Sequence, residues 1–122
     1  MLPETELIVA LCHSPLSDFA RKHAVTLLAS PIEWESFFGR AAQWQLEPVV
    51  MSNLRSMDID AVPAAIRERA IGRERESRGV ALARTLMMIE LLKTFDRASI
   101  ATIVLKGPAL GVSAYGDPSL RT

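Results

Sequence analysis

Three consecutive residues, Lys106, Gly107 and Pro108, are of the types that handle anionic groups. Glycine lets a backbone turn tightly and approach a ligand, lysine brings a mobile positive charge, and proline suits the first position of a helix. The run before them, Ile100-Ala-Thr-Ile-Val-Leu105, is β-branched and aliphatic and reads as a short strand. Strand, turn and helix in that order leave the free N–H groups of the helix start facing the space beyond the strand's end. There they and the helix dipole stabilise an anion. A phosphate fits such a turn, and the same order of elements also makes plain loops with a solvated lysine.

Other chemistry-bearing residues point less sharply. Asp117 is a carboxylate that a metal could use, but Gly116-Asp117-Pro118-Ser119 is turn chemistry, and a backbone hydrogen bond two residues on is the expected role. Arg121 is a candidate partner for a phosphate or a carboxylate, set against the disorder usual near a chain terminus. Cys12 and His13 are sequence neighbours, about 100° apart on a helix, and so not ligands of one metal. His23 falls on an apolar face and reads as a core histidine. No Ser-His-Asp set and no zinc spacing occur. Arg67, Arg69, Arg73, Arg75 and Arg78 are interleaved with Glu68, Glu74 and Glu76, with Glu74 and Arg78 at i,i+4, so a self-paired surface is expected there and nucleic acid is not.

The elements that position these residues follow from proline placement and apolar spacing. Pro3, Pro15, Pro31, Pro48 and Pro63 each stand at or near the start of an apolar-periodic segment, where a missing N–H costs nothing. The predicted helices cover about residues 3–12, 16–28, 31–44, 48–56 and 63–97. Their apolar faces are Leu7, Ile8 and Leu11 in the first; Phe19, Ala20, His23, Ala24, Leu27 and Leu28 in the second; Trp34, Phe37, Phe38 and Ala41 in the third; Val49, Val50 and Leu54 in the fourth. Ser30 and Glu33 have the spacing of a capping box. In the fifth segment a charged half, 67–78, precedes an apolar half, 86–92, so the helix is expected to run from solvent into the core. Gly72 and Gly79 weaken it by about 1 kcal/mol each relative to alanine.

At 122 residues and 49% hydrophobic content the chain holds one modest core. Its net charge is zero, so no long-range field draws it to nucleic acid or an anionic membrane. A single cysteine excludes an internal disulfide, the acidic start Met-Leu-Pro-Glu-Thr-Glu is unlike a secretory signal, and no apolar run reaches the roughly 18 residues that span a bilayer. A cytoplasmic location is the expectation.

Val-Leu-Lys-Gly-Pro-Ala-Leu at 104–110 and Tyr-Gly-Asp-Pro-Ser-Leu-Arg at 115–121 resemble the start of the catalytic domain in the uncharacterised nucleotidyltransferase-like family, within the DNA polymerase beta-type nucleotidyltransferase superfamily. Trp34 and the residues after it, Ala41-Ala42, and Leu46-Glu47-Pro48-Val49-Val50 leading to Asn53-Leu54 are similar to that family's helical N-terminal region. The resemblance implies a mainly α fold: an N-terminal bundle of about five helices (1–98) leading into one strand-turn-helix of an incomplete α/β nucleotidyltransferase domain (99–122). It implies nucleotide-binding roles for Lys106, Gly107 and Arg121, and Mg2+ as cofactor of the full-length enzyme. An Asp-x-Asp pair is then expected on a next strand, within a few residues of the arginine. The sequence stops at Thr122, and the expectation is that nothing upstream replaces those two carboxylates, so this chain alone has neither a catalytic residue nor a metal.

Two functional classes follow. One is the N-terminal part of a metal-dependent nucleotidyltransferase, moving a nucleoside monophosphate from a nucleoside triphosphate to a hydroxyl acceptor, and itself inactive. The other is a non-catalytic helical interaction module, with a protein partner or self-association through 100–105, since a lone strand leaves its backbone groups unpaired.

Overall fold

The computed structural model describes residues 1–57, 60–105, 107, 112–114, 116 and 117. These are mainly helical, in the chain order α1 (Pro3–Leu11), α2 (Asp18–Leu28), α3 (Trp34–Gln43), α4 (Glu47–Ser56) and α5 (Ala64–Arg97). Residues 112–114 are also helical. No helix among the described residues is long and apolar enough to cross a membrane.

Each start has a local cause. Pro3 and Pro48 lie in the first turns of α1 and α4, and Pro63 caps α5. Pro15 and Pro31 stand three residues ahead of α2 and α3. Ser17 caps α2, its Oγ accepting from the Ala20 N–H at 3.1 Å. The capping box expected from Ser30 and Glu33 does not form. Instead α3 begins after Glu33, whose backbone N–H donates to Oε1 of the buried Glu4 at 2.9 Å. That bond ties the start of α1 to the start of α3. Asn53 of α4 performs the matching task at the other end of α1, its Nδ2 donating to the carbonyls of Leu11 at 2.8 Å and His13 at 2.7 Å.

The core lies where α1 packs on α2, α3 and α4. Leu7, Ile8, Leu11, Phe37, Val50 and Met51 are completely buried, each contributing about 1.5–3 kcal/mol by leaving water. Phe37 meets Trp34 and Phe38 edge to face, with ring centroids 5.4 and 5.6 Å apart. The expected faces of α1, α3 and α4 are thus in the core, with Trp34 half-buried. In α2 the line Ala20, Ala24, Leu28 faces inward, while Phe19 and His23 are exposed, which corrects the core role expected of both.

Helix α5 reverses the expected order. Over its 34 residues, about 50 Å of length, it is the charged first half that packs on the bundle, mainly on α4, with Ala70 and Glu74 buried. The apolar second half extends past it: Leu82, Leu86, Met87, Ile89 and Leu91 are exposed, Met87 at 73%. The charges do not oppose burial because opposite charges, on neighbouring helices and on α5 itself, neutralise them. Glu74 accepts from Arg55 of α4 in a bidentate pair and from Arg78 at 3.1 Å; Glu35 of α3 pairs with Arg69, whose guanidinium lies 4.1 Å over the Phe38 ring; Glu47 of α4 is 3.3 Å from Arg73.

The strand expected at 100–105 is absent, and no strand occurs among the described residues. The α5 C-terminus ends in a left-handed turn at Ser99 (φ 59°), with the Ile100 N–H on the Phe95 carbonyl and the Ser99 N–H on the Asp96 carbonyl, both at 2.9 Å. After it the backbone is irregular and mostly exposed, Ile103 at 83%. The physical reason is pairing: a strand is held by a neighbour's N–H and C=O groups, and none of the described residues supplies one.

Candidate functional site

Of the three residues expected to bind nucleotide, Gly107 is described; Lys106 and Arg121 lie outside the described residues. Gly107 has φ +73°, the left-handed region that L-residues enter only at a cost. A Cβ built there meets nothing within 4 Å, so conformation and not crowding sets the need for glycine. Gly107 thus has the backbone of a turn residue, but no strand leads into it, and its neighbours Lys106 and Pro108 lie outside the described residues.

A second left-handed glycine, Gly116 (φ +72°), ends the helical residues 112–114, its N–H donating to the Val112 carbonyl at 2.8 Å. The backbone bends at Gly116 and Asp117, as the sequence Gly-Asp-Pro-Ser requires. Asp117 is half-buried and has a partner.

Among the described residues no group of three or more His, Cys, Asp or Glu side chains is placed to hold a metal ion. One spacing escaped the sequence argument. Asp58-Ile59-Asp60 is an Asp-x-Asp upstream of the turn, which corrects the expectation that no such pair exists there. It falls between α4 and α5 and not on a strand after the turn; Asp60 is exposed, and Asp58 lies outside the described residues. The signal that could have found it is the bare spacing.

The carboxylates with displaced titration are structural. Glu4 is held below the ordinary value of 4.5 by the Glu33 N–H, by its own backbone N–H and by Arg40, against the opposing effect of burial. Glu35 is lowered chiefly by the hydrogen bond from Arg69 and by its charge. Neither side chain belongs to the turn.

Residues 30–122 match the family described as uncharacterised nucleotidyltransferase. The chain belongs to that family. The match takes in α3, α4, α5 and the turn, and begins after α2, so the two N-terminal helices that complete the core lie before it. No curated protein and no solved structure matches the chain significantly.

Proposed function

We propose that the chain serves nucleotidyl transfer, the movement of a nucleoside monophosphate from a nucleoside triphosphate to a hydroxyl acceptor. Family membership over 30–122 carries this reading, and the left-handed Gly107 turn supports it. In it the Gly107 backbone lies near the triphosphate, Lys106 neutralises phosphate charge, and Arg121 pairs with a phosphate oxygen. The acceptor oxygen forms a bond to the α-phosphorus, the bond to the β-phosphate oxygen breaks, pyrophosphate leaves, and the hydroxyl proton goes to a carboxylate base.

Mg2+ is the proposed cofactor of the complete reaction, where it stabilises charge on the transferred phosphoryl. Among the described residues no three or more His, Cys, Asp or Glu side chains gather to hold it. The 122-residue chain is accordingly proposed to bind nucleoside triphosphate without turning it over.

Incubation of the chain with labelled ATP and Mg2+ tests both parts. Retention of ATP that falls in Gly107→Ala, with helicity unchanged by circular dichroism, is the expected result. Loss of all ATP binding in the wild type overturns the role of the turn, and transfer of label to protein or small molecule overturns the proposed inactivity. A second reading, a non-catalytic helical interaction module, is favoured by the exposure of Ile103 and Leu105 in the segment expected to meet a partner. It takes the first place if ATP does not bind.

A further inference from the structure

Beyond Ala81, the exposed residues Leu82, Leu86 and Ile89 follow one another at spacings of four and three, and Lys93 continues the series. On a helix they form one stripe in heptad register. In that register Glu76 and Arg97 hold the same flanking position three heptads apart, and neither enters the ion pairs formed among the described residues. The stripe sits roughly 100° around α5 from the line Ala70, Glu74, Ala81 that faces the bundle, so the bundle leaves it open.

We infer that this stripe is the interface of an antiparallel homodimer, the occupant being a second copy of this chain. With Leu86 against the partner's Ile89, Leu82 meets the aliphatic stem of the partner's Lys93, and each layer is repeated by the two-fold axis between residues 87 and 88. The same register brings Glu76 to the partner's Arg97, and Arg97 to the partner's Glu76. Glu90 faces the partner's Ala83, so no like charges oppose each other along this flank. The charge pattern selects the antiparallel arrangement. In an in-register parallel pair Glu76 and Arg97 of opposite copies would stand about 30 Å apart along the axis. Burial of three large apolar side chains from each copy supplies the driving force. One helix stripe is smaller than the roughly 1,600 Å² of a standard interface, so micromolar association, about −8 kcal/mol, is the corresponding strength.

Sedimentation equilibrium of the full 122-residue chain, over concentrations of about 0.2–50 μM that bracket such an affinity, tests the inference. The expected result is a mass twice that of the chain, and a monomer in Leu86→Glu/Ile89→Glu with unchanged helicity by circular dichroism. Glu76→Arg is expected to weaken the dimer at least tenfold, and Glu76→Arg/Arg97→Glu to restore it. A monomeric wild type, as when another part of the chain covers the stripe, overturns the inference. So does association that survives the double glutamate variant, or that ignores the charge reversal, as a partner binding in another register or through 100–105 would.

Discussion

The two halves of α5 are one continuous helix built for opposite surroundings. The first half is rich in arginine and glutamate yet packs on the bundle, because Arg69, Arg73 and Arg78 find carboxylates at Glu35, Glu47 and Glu74 and because Ala70 and Ala81 let the backbone come close. The second half is apolar on nearly every side yet mostly exposed, with only Thr85, Met88, Leu92 and Phe95 half-buried. Hydrophobicity therefore does not rank the halves by burial. What decides is whether neighbouring elements complement the helix, with opposite charge in one case and apolar area in the other.

The largest effect expected from this contrast is in paired truncations. Leu54→Ala, in the core face of α4, on which the first half packs, is expected to cost about 2–5 kcal/mol, whereas Leu91→Ala in the exposed half changes stability by no more than about 0.5 kcal/mol. Urea unfolding of both variants measures the difference. Equal losses would mean that the second half is as well covered as the first. Next in size is the glutamate that joins α4 to α5. Glu74→Ala leaves Arg55 and Arg78 without their shared acceptor and is expected to cost about 1–2 kcal/mol, discounted because both guanidinium groups are half or more in water. Glu90→Ala, which breaks only the exposed pair with Lys93, is the matched control in the other half and is expected to leave the urea midpoint nearly unchanged. A further variant probes the end of the exposed half. Ser99 occupies the left-handed position of the helix stop, so Ser99→Gly is expected to raise stability by up to about 1 kcal/mol, read as a higher urea midpoint.

Much of the bundle was legible in the sequence, and the reason lies in periodicity. Leu7, Ile8 and Leu11, or Val49, Val50 and Leu54, are apolar at helical spacing on short segments, so one face is the only place to put them. Phe19 and His23 misled because α2 meets α1 along the line Ala20, Ala24, Leu28, with Leu27 packed at its edge, and those two residues fall outside it. For α5 a single-helix pattern is blind to the carboxylates that neutralise it, since Glu35 and Glu47 belong to other helices. At the turn, Gly107 announced its left-handed backbone by its residue type, while the strand at 100–105 depended on a neighbour that composition cannot reveal. The family match supports the nucleotidyltransferase reading of 104–121 without adding a described contact between its residues.

The smallest expected effect is in acid, and it separates the halves once more. Glu4 and Glu35 have folded-state values below the ordinary 4.5, so the unfolded chain binds more protons near that pH. Their contribution to stability is therefore full above about pH 4.5 and is lost as pH falls through the depressed folded values. Glu4→Gln removes the larger part of this slope, because its carboxylate is buried on the Glu33 N–H, while Arg69→Met removes only the Glu35 part, which water and salt already screen. Arg84→Met, on the exposed half, leaves the slope unchanged. Urea midpoints measured between pH 3 and pH 7 decide the matter. A shallower acid loss in Arg84→Met than in Arg69→Met would place the titrating contacts beyond Ala81 and undo the division of the helix into a charge-complemented half and a mostly exposed one.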